Sequence, residues 1–198
     1  MIDSIRTDDD RGQVGIGTLI IFIALVLVAA VAAGVLIDTS GQLESRASDT
    51  GADAQAEVSN QVEVVSATGV DSDDPNDGVE TIELVVKKSA GSDPIDLSAA
   101  TIQYTSDGAS ATLDYAGSGN SANESAFATS EVGSSGTTEI LDSNSERVEI
   151  TIDANSVEGG SDLSAGSSVD LEIVDQSGAS TIYGVNIPDV LSGSYVPV

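Results

Sequence analysis

Four aspartates crowd the segment DSDDPNDG, residues 71–78: Asp71, Asp73, Asp74 and Asp77. Carboxylates this close together are the ligand type of a hard divalent cation, above all calcium. An EF-hand loop, however, needs oxygen ligands at alternate positions and a glycine at the sixth. Counting from Asp73 puts Pro75 at a ligand position, and counting from Asp71 puts Asn76 where the glycine belongs. The pattern fails. The segment reads as a solvated turn between two strands, with Pro75 and Gly78 as its turn residues. A looser cation site through the four aspartates stays open.

A second candidate is Asn123, which opens the only N-x-[ST] sequon of the chain, Asn123-Glu124-Ser125. In an exported protein such an asparagine is a glycan acceptor, and this one lies in a Ser/Gly-rich stretch where a glycan would face solvent. Catalysis has little to work with. The chain has no histidine and no cysteine, and its two lysines, Lys87 and Lys88, are adjacent on an expected strand. The usual activated nucleophiles therefore lack a base. Paired carboxylates say nothing in a chain with 33 acids, so no enzyme, cofactor or resident metal is expected.

The acids outnumber 6 bases, for a formal charge of −27. Nucleic acid is a poor partner, because its affinity comes largely from Lys and Arg on phosphates. Such a charge repels itself at low ionic strength, whereas molar salt shortens the Debye length to about 3 Å and screens it. The balance points to work in strong brine. Hydrophobic residues make up 40% of the chain, too many for an acidic disordered segment. Aromatics are scarce, so the core must be built from Val, Ile, Leu and Ala.

These candidates hang on three zones. Residues 1–12 are a short polar leader. An apolar run follows, with no charge between Arg11 and Asp38. As a helix, Val14 to Ile37 reaches about 36 Å, enough for a hydrocarbon core of about 30 Å. It is too long for a secretory h-region, and no small-residue cleavage pattern follows it. Helical character continues to residue 60 along a narrow stripe, Leu43, Ala47, Ala54, Val58 and Val62, with Gly41 and Gly51 as places for a bend. Within the run, Ala29 and Ala33, and Ala30 and Gly34, stand four apart, a small-xxx-small spacing that lets helix backbones approach closely.

From residue 61 the period becomes two. QVEVVSA (61–67), VETIELVVKK (79–88), ERVEITID (146–153), VDLEIVD (169–175) and TIYGVNI (181–187) alternate apolar with polar, as half-buried antiparallel strands do. ATIQYTS (100–106) and ATLDYAG (111–117) are weaker candidates, and DQSGAS (175–180) reads as a hairpin turn. Residues 115–138 read as a long surface excursion. The fold class is therefore α+β: a long N-terminal hydrophobic α-helix, then an antiparallel β-sandwich head over 61–198.

The residues RGQVGIGTLIIFIALVLVAAVAAGVLI, Arg11 to Ile37, resemble the N-terminus of an archaellin, the subunit of the archaeal flagellum, and specifically that of halophilic archaea. SGQLESRASDTGADAQAEVSNQVEVVSATG (40–69) is similar to the same family; the rest is similar only in composition and strand content. The resemblance implies a cut between Gly12 and Gln13 by a prepilin-type signal peptidase, with Arg11 as the basic residue of the junction. It implies a retained helix, 13–60, and an immunoglobulin-like head. Bacterial type IV pilins place a glutamate at the fifth position after the cut; here that residue is Gly17, which favours an archaellin.

On that resemblance the precursor lies in the cytoplasmic membrane, and the mature chain joins a helical homopolymer, the archaellum, outside the cell. Other archaellins and the membrane assembly machinery are the further partners, and swimming motility is the function. Leu19, Phe22, Ile23, Val26, Ala29, Ala30, Ala33 and Gly34 are the expected helix-packing residues. A type IV-like adhesion pilin is the alternative, and a membrane-anchored binding or enzymatic domain is a third reading.

Overall fold

The structure is a computed structural model that describes residues 3–71, 78–117, 119–132 and 139–198, and side chains from Gly12 onward. The chain divides into two compact units, Met1–Ala52 and Asp53–Val198.

Helix α1 runs from Asp3 to Ser59. It passes through both Gly41 and Gly51, so neither ends it. It also passes through the leader junction, and secondary structure does not change at Gly12. The helix stops before Val62, whose side chain is 3% exposed in the core of the head. Val62 therefore belongs to the first strand and not to the helical stripe in which its spacing placed it. Leu43 and Val58, the large residues of that stripe, are exposed.

Strands β1 (Val62–Val70), β2 (Thr81–Lys88), β3 (Ile95–Asp96), β4 (Thr101–Ser106), β5 (Ser110–Tyr115) and β6 (Ala126–Glu131) form the first half of the head. Strands β7 (Ile140–Leu141), β8 (Val148–Asp153), β9 (Ser168–Val174), β10 (Ser180–Asn186) and β11 (Tyr195–Pro197) complete it, with the four-residue helix α2 (Ala154–Val157) after β8. Nine strands pair in the order β10-β9-β4-β5-β6-β8-β2-β1-β11, while β3 and β7 pair separately. Among the described strands every pairing is antiparallel except β5 with β6, which is parallel through Asp114↔Ala126 and Tyr115↔Phe127.

The alternation read from the sequence is what builds the core. Ile82, Leu84 and Val86 of β2 face Ile152, Ile150 and Val148 of β8 across the ladder, all buried. Ile102 and Tyr104 of β4 likewise meet Ile173 and Leu171 of β9. These residues form a single hydrophobic cluster, and the acids between them face outward. In β1 the alternation breaks: Val64 pairs Val86 but Ser66 pairs Val85, so Val65 is the extra residue of a bulge. Val62 faces the core before the bulge and Ala67 after it, whereas Val65 is exposed.

Two further expectations need correction. The stretch 115–138 is not all surface excursion, because it contains β6, and Phe127 is fully buried. One large apolar residue in AFATSE gives no period to read. Asp71 is also not a solvated turn residue: it is 4% exposed, and its N–H donates to the Ser194 carbonyl at 3.0 Å. β1 and β2 flank it as an antiparallel pair, as expected.

Candidate functional site

The apolar run of α1 is the feature that calls for a partner. At about 100° per residue, Leu19, Phe22, Ile23, Val26, Ala29, Ala30, Ala33 and Gly34 share one face of α1. Ile20, Ile21, Leu25, Val28 and Val35 cover the remaining faces, so the helix is apolar all round, as a helix in lipid or among other helices must be. Its large side chains are exposed, Phe22 to 65% and Leu25 to 64%. The helix is long and apolar enough to cross a membrane.

Polar groups along this run are satisfied internally. The backbone closes its own hydrogen bonds, which is what allows a helix into hydrocarbon. Thr18 is the single polar side chain between Val14 and Ile37, and its Oγ1 donates to the Gly15 carbonyl at 2.9 Å. Thr39, just past the run, donates to the Val35 carbonyl at 2.8 Å. Neither hydroxyl needs water. Sequence reasoning passed over Thr18, although its isolation among aliphatic residues was the available signal.

The small residues leave room. A Cβ added at Gly34 would meet nothing within 4 Å, and the same holds at Gly12, Gly15 and Gly17. No intramolecular contact therefore requires glycine at these four positions. At the expected cleavage junction, Gly12 and Gln13 are exposed on helical backbone, with Arg11 immediately before them.

In the head, Asn123 is exposed. Its Oδ1 accepts the Ser125 N–H at 3.0 Å and the Ser125 hydroxyl at 3.2 Å. The carboxamide is thereby oriented by the sequon's own serine. Of the four aspartates weighed as cation ligands, Asp71 alone lies among the described residues; Asp73, Asp74 and Asp77 fall outside them. Among the described residues no three acids gather as a metal site.

The head's basic groups are engaged locally. Lys87 pairs with Glu63 across β1 and β2 at 2.9 Å, Lys88 Nζ donates to the Ser92 carbonyl at 3.0 Å, and Arg147 donates to the Asn144 and Glu146 carbonyls. The buried Tyr104 hydroxyl donates to Glu158 at 2.9 Å, and Ser106 Oγ donates to the same oxygen at 2.5 Å. Burial first, then the Glu158 carboxylate, raises the Tyr104 phenol far above its ordinary range. With no histidine or cysteine beside them, these groups are a part-buried acceptor–donor cluster that ties the end of α2 to β4.

The archaeal-type flagellin family model matches residues 12–185. Flagellin B2 of Halobacterium salinarum is 43% identical over 192 residues, covering 96% of each chain. Flagellin A2 of Haloferax volcanii is 40% identical over 210 residues, covering 94% of each. Among solved structures, the archaeal flagellum of Methanospirillum hungatei strain JF1 superposes with a TM-score of 0.68 at 23% identity, over 92% of this chain and 98% of that one. An archaeal flagellin from Methanocaldococcus jannaschii gives 0.60 at 16% identity, over 70% and 96%. The first of these two structural matches is long enough to take in both the helix and the mostly antiparallel β domain, and the second covers a smaller part of the chain. With a match that runs from the apolar helix into strand β10, the chain belongs to the archaeal-type flagellin family.

Proposed function

We propose that this chain is a structural subunit of an archaellum, polymerising through α1 into the filament that drives swimming. The observation that carries the reading is the apolar run of α1, exposed on every side and free of unsatisfied polar groups. Burying each of its large side chains is worth roughly 1.5–3 kcal/mol relative to water. Lipid supplies that environment before assembly, and identical helices supply it afterwards. Contacts between copies that are heterologous and do not close give a helical filament.

The finer parts of the reading concern processing, modification and partners. A prepilin-type peptidase cuts between Gly12 and Gln13, removing the polar leader that ends in Arg11-Gly12. The family match begins at residue 12, directly at the proposed junction. The precursor sits in the cytoplasmic membrane, and the mature subunit is extracellular, with the membrane assembly machinery and other archaellins as partners. Ala29, Ala30, Ala33 and Gly34 let neighbouring helices approach closely, and Leu19, Phe22, Ile23 and Val26 fill the contact. Asn123, exposed and oriented by Ser125, accepts a glycan. The subunit carries no chemistry of its own.

Deleting the gene and restoring it tests the function. The expected result is loss of both filaments and swimming, recovered by the wild-type gene. Loss of surface attachment with swimming intact would instead make the chain an adhesion pilin.

A further inference from the structure

Only Asn60 and Gln61 connect α1 to β1, and neither is glycine or proline. Such a connection could be a swivel. Its polar groups show otherwise. The Asn60 N–H continues the helix ladder to the Ala56 carbonyl at 2.7 Å. Ser92 Oγ donates to the Ser59 carbonyl, a helix-terminal acceptor that the helix itself leaves without a donor, and accepts the Gln61 N–H, both at 3.1 Å. The Gln61 carbonyl accepts the Ser89 N–H at 2.9 Å.

The Asn60 side chain reaches two further segments of the head. Its Oδ1 accepts the Asp93 N–H at 2.9 Å, in the loop after β2, and its Nδ2 donates to Ser177 Oγ at 3.4 Å, in the β9–β10 turn. That turn is itself held by Asp175, whose Oδ1 accepts the Ser177 N–H at 2.8 Å, the Ser177 hydroxyl at 2.6 Å and the Ala179 N–H at 3.1 Å. Gln176 ties the same two segments together, donating to the Pro94 carbonyl and accepting the Asp96 N–H, each at 2.9 Å. Asn60, Ser92 and Asp175 are three of the four buried polar residues of the described chain. Asn60 and Ser92 have both donors and acceptors engaged, as Asp175 has its Oδ1, and buried polar groups held this way specify one arrangement.

We infer that Asn60 and Ser92 are positioning residues of a rigid joint, which locks the last turn of α1 into the paired strands of the head. Force or torque arriving along that turn then enters β1 and β2 directly and is not taken up by a flexible linker. This mechanical consequence rests on the filament reading; the joint itself does not. Residue-resolved hydrogen–deuterium exchange on the full chain in detergent and molar salt tests it without requiring a filament. In Asn60→Ala the Asp93 amide, and in Ser92→Ala the Gln61 amide, should exchange about tenfold faster or more, while Leu84 and Ile150 in the strand core stay protected. Should Asn60→Ala unfold the head, Ser92→Ala decides alone, since it removes only a hydroxyl. Unchanged exchange at these amides, or a rise shared equally by Leu84 and Ile150, would overturn the joint, whatever becomes of the filament reading.

Discussion

The ring of Phe127 meets that of Tyr115 at a centroid separation of 5.9 Å and a tilt of 50°. The two residues are also register partners in the parallel β5–β6 pair, the one departure from antiparallel pairing among the described strands. β5 continues to β4 on its other side, and β6 to β8, so this pair joins the two halves of the sheet.

Phe127→Ala removes the ring that meets Tyr115 and opens a cavity at this junction. Truncating a buried Phe typically costs about 3–5 kcal/mol. Equilibrium unfolding of the head in molar salt should show a loss in that range, and a loss near that of a surface change would deny the pair its joining role.

Tyr104 gives a prediction with a pH signature. Its phenol is raised in the fold, chiefly by burial, so the native state holds that proton more tightly than the unfolded chain does. Stability from this group is complete below the ordinary phenol range and falls as pH rises through it. Tyr104→Phe should cost about 1 kcal/mol at neutral pH, the net worth of a typical hydrogen bond. It should also flatten the alkaline fall in unfolding free energy. An unchanged alkaline slope would contradict the assignment.

Glu83 lies on the outward face of β2, half-buried, with Glu149 on the neighbouring strand β8. Burial, and then the Glu149 charge, raise its carboxyl above the ordinary value. A raised carboxyl opposes folding while it is ionised and stops doing so as pH falls through its folded value. Glu83→Gln should therefore stabilise the head near neutral pH and lose that advantage in acid. The gain should shrink as salt rises and screens the Glu149 charge. Thermal unfolding across pH and salt reads both trends, and a destabilised variant at neutral pH would refute them.

Gly34 separates the fold of one chain from its assembly. A Cβ there meets nothing in the chain itself, so Gly34→Leu should leave the head folded and the helix intact. If this face packs closely against another copy, the added bulk should impair assembly, since overpacking a close contact typically costs about 1–3 kcal/mol. Normal filament number and length in cells carrying the variant would show that close packing does not use this face.

How much of this was legible in the sequence depended on signal strength. The membrane-length run and strands such as TIELVVKK and VEITID carry a strong period, and their inward residues are the core. β6 was hidden because Phe127 is its one large apolar residue, placed by tertiary pairing and not by alternation. The two-residue strands β3 and β7 are too short to have a period at all. Val65 hid a bulge inside an apparently regular alternation, and only the register with β2 reveals the slip. The Asn60–Ser92 joint joins residues 32 apart in sequence with another 117 away, a relation no local pattern can hold. The apolar helix was fully legible, because its message is composition: a membrane-length run without a charge.

The most direct test of the account is the N-terminus of the protein in its natural polymer. Filaments sheared from cells and examined by intact-mass and peptide mass spectrometry should yield a subunit that begins at Gln13 and keeps the whole apolar run through Ile37. A subunit that begins at Met1, or one cut after residue 37, would contradict the claim that a clipped, retained helix is what builds the filament.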